Sequence, residues 1–224
     1  SKVTGVPMIR LAIKAMLGKS ITGAGYEGGL WKRQKLVAVK APVFSMSKLS
    51  GVDNYLGPEM KSTGEVMGID TDFSSAVAKA LMASGMMLPE RGSILLTIAD
   101  RDKADAVPMI RQLAEAGYGL FATEGTAGMI HGLGIDAFAI PKAHTGDHPN
   151  TVDIVADGTV SAVVNTIEGD RESLEDGFEI RRAAVDQRIP CFTSLDTARA
   201  AVESLIGGAA NYSIKPLPEY RDSG

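Results

Sequence analysis

Gly119-Leu120-Phe121-Ala122 is a short, largely apolar run, and Thr123-Glu124-Gly125-Thr126-Ala127-Gly128 follows it directly. The run reads as a strand, the next residues as a turn into a helix from about Thr126 to Leu133, stopped by Gly134. The same unit recurs on both sides. Upstream, strand Ile94–Ile98 leads to a helix from about Asp102 to Ala116, closed by Gly117. Downstream, strand Ile135–Ile140 precedes a short helix near Val152–Ala156. Strand Val160–Asn165 precedes a helix of about Phe178 to Gln187, and Pro190–Thr193 and helix Thr197–Leu205 close the series. Strands separated by helices need crossovers, so the expected fold is α/β: a Rossmann-like, parallel, five-stranded sheet with helices on both faces.

In such a sheet ligands bind beyond the carboxyl ends of the strands. The residues expected there are Thr97 and Lys103 after the first strand, then Thr123, Gly125 and Thr126 after the second. Lys142 follows the third, with His144, Gly146, Asp147 and His148 beyond it, and Asn165-Thr166 follow the fourth. A glycine turn opening a helix offers free N–H groups to a phosphate. Taken singly, Thr123 and Thr126 also suit helix caps, Lys103 and Lys142 solvated surface, and Asn165 a turn. Their convergence on one rim points to an anionic, phosphorylated ligand. His144 and His148 lack a third partner at metal-ligand spacing, so a structural or surface role is expected and no metal site. His131 is expected on a helix surface.

Residues before Leu88-Pro89-Glu90-Arg91-Gly92 have a different texture. Thr4-Gly5-Val6-Pro7 starts a helix whose Val6, Ile9, Ile13, Met16 and Leu17 share a face, with Gly18 as its stop. Leu36 to Phe44 alternates as a strand. Gly51 to Gly68 reads as a polar, glycine-bearing connection. Asp72 caps a helix from Phe73 to Ala83, with Phe73, Val77, Ala80 and Leu81 facing one way. Trp31, beside Lys32, Arg33 and Lys35, reads as a packed ring with a solvated charged face, and the methionines as core filling.

The chain has 224 residues, is 45% hydrophobic and 22% charged, and carries a net charge of −4. That balance excludes general disorder, and it gives no basic field for nucleic acid. The single cysteine, Cys191, excludes an internal disulfide and suits a reducing compartment. No apolar run reaches the ~18 residues of a membrane span. A soluble, cytoplasmic protein is expected.

Leu56-Gly57-Pro58-Glu59-Met60-Lys61-Ser62-Thr63-Gly64-Glu65-Val66-Met67-Gly68 resembles the end of the second ATP-grasp unit of carbamoyl-phosphate synthase large subunits. Ser1 to Pro7 resembles the segment that follows the family's Asn-Pro-Arg metal and nucleotide motif. From about Leu88 onward the chain resembles the family's C-terminal allosteric domain, of the methylglyoxal-synthase-like fold. Ala122-Thr123-Glu124-Gly125-Thr126, Val164-Asn165-Thr166 and Asp176 through Ile180-Arg181-Arg182 carry that likeness.

The resemblance implies a partial ATP-grasp region over 1–88 and a methylglyoxal-synthase-like allosteric domain over 89–224. It implies the C-terminal part of the large subunit of a ligase that makes carbamoyl phosphate from bicarbonate and glutamine-derived ammonia, for pyrimidine and arginine biosynthesis. ATP and magnesium or manganese would act in the parent, with the catalytic acids upstream, so this segment is expected to hold no catalytic residue and no cofactor and to be inactive alone. Its implied partners are the rest of the large subunit, a glutaminase small subunit and a nucleoside monophosphate of the uridine or inosine type. Thr97, Lys103, Thr123, Gly125, Thr126, Lys142, Asn165 and Thr166 match the effector site. Ile167 stands where the best-known members have another hydroxyl, and Lys40 is followed by Ala41-Pro42 where they have the glutamate that helps bind ornithine. The competing readings are a methylglyoxal-synthase-like lyase, which needs a second aspartate where Asn165-Thr166 stand, and a non-catalytic docking module.

Overall fold

The computed structural model describes residues 1–44, 59–169, 171–206 and 212–222. Leu56-Gly57-Pro58, from the ATP-grasp-like string, and Gly51-Val52-Asp53 lie outside the described residues.

The main sheet is five-stranded and parallel, built from β3 (Ser93–Thr97), β4 (Gly119–Thr123), β5 (Phe138–Ile140), β6 (Ala162–Asn165) and β7 (Cys191–Phe192) in the order β5-β4-β3-β6-β7. Alternation along β3 divides the core. Ile94 and Leu96 face a cluster with α3 (Lys103–Glu115), α4 (Glu124–Gly132) and α7 (Leu195–Ile206), whose Ile110, Ile130 and Val202 are buried there. Leu95 faces the other side, where α5 (Thr151–Ala156) supplies Ile154 and Val155 and α6 (Arg171–Gln187) supplies Ile180 and Ala184. Helices therefore cover both faces, as expected of a parallel sheet. Strand order reverses between β3 and β6, and a crevice opens at such a switch point.

Before this sheet come α1 (Met8–Met16), β1 (Val37–Val43), β2 (Gly64–Asp70) and α2 (Phe73–Ser84). β1 and β2 pair antiparallel from Val37↔Asp70 to Val43↔Gly64. The polar connection expected through Gly68 is thus corrected, because its end, Gly64 to Gly68, belongs to a strand. Polar residues and glycines hide it, and pairing with a distant partner makes it. Gly68 also lets α2 lie close, since a Cβ there would sit 2.0 Å from the Ala76 carbonyl oxygen. Asp72 caps α2 as expected, its carboxylate accepting from Ser75 N–H at 2.9 Å. Val77, Ala80 and Leu81 of α2 are buried, and Val77 and Leu81 join the cluster containing α7.

Phe73 departs from its expected face and is exposed at the first position of α2. On α1, Leu11 is the buried residue, while Ile9, Ile13 and Met16 of the predicted apolar face, with Leu17 after them, are open. Trp31 is half exposed and leans on Tyr26, ring centroids 6.2 Å apart. Methionine as core filler holds for Met109 and fails for Met8, Met16 and Met60, which are exposed. Helix α6 begins at Arg171, well before the expected Phe178, and carries Gly177 inside it. The C-terminal helix α8 (Leu217–Asp222) was not expected at all.

Candidate functional site

Three strands end on a polar residue at the carboxyl edge: β3 on Thr97, β4 on Thr123 and β6 on Asn165. Thr97 and Asn165 are register partners across the switch point. A cavity of about 680 Å³ opens over these ends. Thr97, Lys103, Thr123, Gly125, Thr126, Lys142, Asn165 and Thr166 all line it, so the residues predicted from three strand ends and a loop share one wall.

The hydroxyls are fixed by the backbone of β3 and its extension. Ile98 N–H donates to Thr126 Oγ1 at 3.2 Å, and Ala99 N–H to Thr166 Oγ1 at 2.9 Å. Thr166 N–H in turn donates to the Thr97 carbonyl at 3.0 Å. Thr123 directs its hydroxyl toward Thr126 Oγ1, 3.4 Å away, and makes no side-chain cap on α4. The capping alternative therefore does not describe these threonines: both are buried and tie strand ends together. The α4 N-terminus keeps its first-turn N–H groups and positive dipole end for another acceptor.

The positive charge comes from the first residue of α3 and from the loop after β5. Lys103, at the start of α3, holds Asp100 at 2.7 Å. The hydrogen bond and charge of Lys103, assisted by the charge of Lys142, keep the Asp100 carboxyl below its ordinary range. Both ammonium groups therefore act on one rim. A Cβ on Gly125 would lie 3.3 Å from Lys103 Nζ, so the glycine gives the ammonium room beside the α4 N-terminus. Hydroxyl donors, two lysines and a helix N-terminus form a set that complements a phosphate.

Several lining residues were not singled out as ligand contacts in advance. His144 Nδ1 bonds Asp176 Oδ2 at 2.6 Å, and His144 N–H donates to Asp176 Oδ1 at 3.2 Å. Asp176, buried on α6, thereby pins the loop carrying Lys142. His144 so takes the structural role expected of it, yet it also lines the cavity. Asp176 belongs to a string that carries the family likeness, but its place at the cavity is not legible with α6 expected to start only at Phe178. His148 bonds Asp153 at 2.5 Å, and His131 bonds the Ala137 carbonyl at 2.9 Å. Asp147 lines the cavity, but where the lyase reading needs a second aspartate the end of β6 carries Asn165, followed by Thr166. Among the described residues no three His, Cys, Asp or Glu side chains converge as metal ligands, and no helix is long and apolar enough to cross a membrane.

Residues 105–193 match the MGS-like domain family. The chain is 52% identical over 222 residues, 99% of its length, to the carbamoyl phosphate synthase large chain of Thermomicrobium roseum, and it spans 20% of that relative. Among solved structures, methylglyoxal synthase from Elizabethkingia anophelis aligns at 20% identity, covering 51% of this chain and 79% of that one with a TM-score of 0.41. That last likeness is too slight to bear on activity. The α/β, methylglyoxal-synthase-like fold rests on the family match and on the sheet itself.

Proposed function

The chain belongs to the carbamoyl phosphate synthase large-chain family, as a segment spanning a fifth of such a relative, and from that premise we propose that its cavity is an effector site for a nucleoside monophosphate. The observation that carries the proposal is the convergence of Thr97, Lys103, Thr123, Thr126, Lys142, Asn165 and Thr166 around one space. The lysines and the α4 N-terminus receive the phosphate, and the hydroxyls and Asn165 receive its oxygens and the polar groups of the ligand.

In this reading the whole protein phosphorylates carbamate formed from bicarbonate and ammonia, using ATP and a divalent metal bound in the remainder of the large chain. The ammonia comes from a glutaminase subunit. The segment alone makes no carbamoyl phosphate. Its open α1 face, with Ile9, Ile13 and Met16 exposed, is where the preceding part of the large chain packs. Ligand in the cavity shifts the balance between states of that neighbouring unit by binding one state more tightly.

Calorimetric titration of the chain with uridine monophosphate, inosine monophosphate and dihydroxyacetone phosphate tests the proposal. Saturable binding of either nucleotide is expected, without turnover heat from the triose phosphate. Turnover of the triose phosphate would reverse the assignment in favour of a lyase, and silence from both nucleotides with a folded protein would remove the effector site.

A further inference from the structure

Behind the polar wall of the cavity lies a buried cation. Arg181, on α6, is 2% exposed, and its Nη1 donates to Asn165 Oδ1 at 2.9 Å. A guanidinium carries donors only, so the atom it meets is the amide oxygen, and the turn of the Asn165 amide is thereby decided. The amide nitrogen then donates to Thr97 Oγ1 at 2.6 Å. A hydroxyl can donate or accept. Here Thr97 accepts from inside the protein, and no group among the described residues takes its proton. Thr97 lines the cavity, so that proton is available to a ligand. Gly177, one turn before Arg181, helps to make the room: a Cβ there would lie 2.9 Å from Arg181 Nη1.

Resting on the reading of this cavity as an effector site, we infer that Arg181 is a positioning residue for recognition. It holds Asn165 so that Thr97 presents a donor to an acceptor oxygen of the ligand. Arg181 works through Asn165 and Thr97 and has no ligand contact of its own. The cavity is thereby biased toward ligands with an oxygen acceptor at the β3 end.

A double-substitution cycle tests the relay against the two other things a buried arginine can do, which are to stabilise the fold and to add positive field. Binding of inorganic phosphate and of uridine monophosphate is measured by calorimetry on the full chain, with thermal midpoints taken in parallel. Arg181→Met is expected to weaken nucleotide binding about tenfold, the worth of one hydrogen bond to a charged acceptor. In a Thr97→Val background, where no hydroxyl remains to be oriented, the same substitution is expected to cost less than about twofold. Arg181→Lys, which keeps a donor, is expected to recover most of the affinity. Equal losses in both backgrounds would overturn the relay and leave only field or fold. If Arg181→Met does not fold, Arg181→Leu, which also lacks a donor, replaces it in the same cycle. A native chain that binds neither probe defeats the effector reading itself and the relay with it; a native chain that binds, with additive losses, defeats the relay alone.

Discussion

Thr126 and Lys142 line the same cavity but stand in different physical situations, and their substitutions separate binding from folding. Thr126 is 1% exposed and its hydroxyl is the partner of the Ile98 N–H. Thr126→Ala strands that N–H in the core, which costs about 1–3 kcal/mol of stability. It should therefore lower both nucleotide affinity and the urea midpoint, while Thr126→Ser should restore most of each. Lys142 is only partly buried. Lys142→Ala should weaken nucleotide binding by roughly tenfold, with the unfolding midpoint almost unchanged. The loss should shrink as salt is added, because a partly exposed charge is screened. Unchanged nucleotide affinity in both alanine variants would place the ligand elsewhere. Much of this site was legible in the sequence because strand ends are legible: a polar residue after an apolar run marks the point where the chain leaves the core, as at Thr97, Thr123 and Asn165. Arg181 was not legible as part of it. A charged residue on a polar, charge-rich helix reads as solvated until tertiary packing turns it inward.

Among the elements, the βα units were legible because glycine stops such as Gly117 and Gly134 punctuate them, both with positive φ in the structure. β2 was not. Its pairing with β1 is non-local, and its own sequence offers the weak β-formers Gly64, Glu65 and Gly68. The first turns of α6 were missed for a related reason, since Gly177 looks like a boundary and is instead a point of close contact with Ile167, 2.8 Å from where a Cβ would stand. Gly68 gives the sharper test. Its φ is unexceptional, so a substitution there probes space alone. A methyl group would meet the Ala76 carbonyl oxygen and the Ala80 nitrogen at 2.0 and 2.5 Å, both backbone atoms of α2 that cannot rotate away. Gly68→Ala must push the helix off the hairpin and should cost about 3 kcal/mol, in the range of overpacked cores. Gly64→Ala on the same strand meets nothing within 4 Å and should be near neutral. Comparable urea midpoints for the two variants would mean that α2 does not lie on β2 as described.

At the scale of the whole molecule, one buried ionic cluster joins three parts of the chain. Lys79 of α2 contacts Asp70 of β2 at 2.8 Å and donates to Tyr220 of α8 at 2.9 Å, with Tyr220 4% exposed. Ser213 N–H and hydroxyl both reach Asp70 at 3.2 Å, and the Tyr220 hydroxyl donates to the Ser213 carbonyl at 2.6 Å. The C-terminal residues are thereby strapped to the hairpin and to α2, which itself packs into the core of the main sheet. Burial by itself would raise the Asp70 carboxyl. The hydrogen bond from Lys79, the N–H groups of Thr71 and Ser213 and the Lys79 charge outweigh it, and hold the group down at about 2. A carboxyl lowered on folding stabilises the native state fully above its unfolded value of about 3.9, and that contribution is lost as pH falls toward 2. The difference is worth on the order of 2 kcal/mol. Urea unfolding across pH 6 to 2 should therefore show a loss in the native chain that Asp70→Asn does not share. At pH 6 the asparagine variant should already be weaker by about 3 kcal/mol, since the largely buried Lys79 loses its counter-charge. As acid removes the native chain's advantage, the two stability curves should converge below the ordinary carboxylate range. Curves that run parallel to pH 2 would mean that Asp70 is not the titrating group, and that the strap is held by Tyr220 and Ser213 without it.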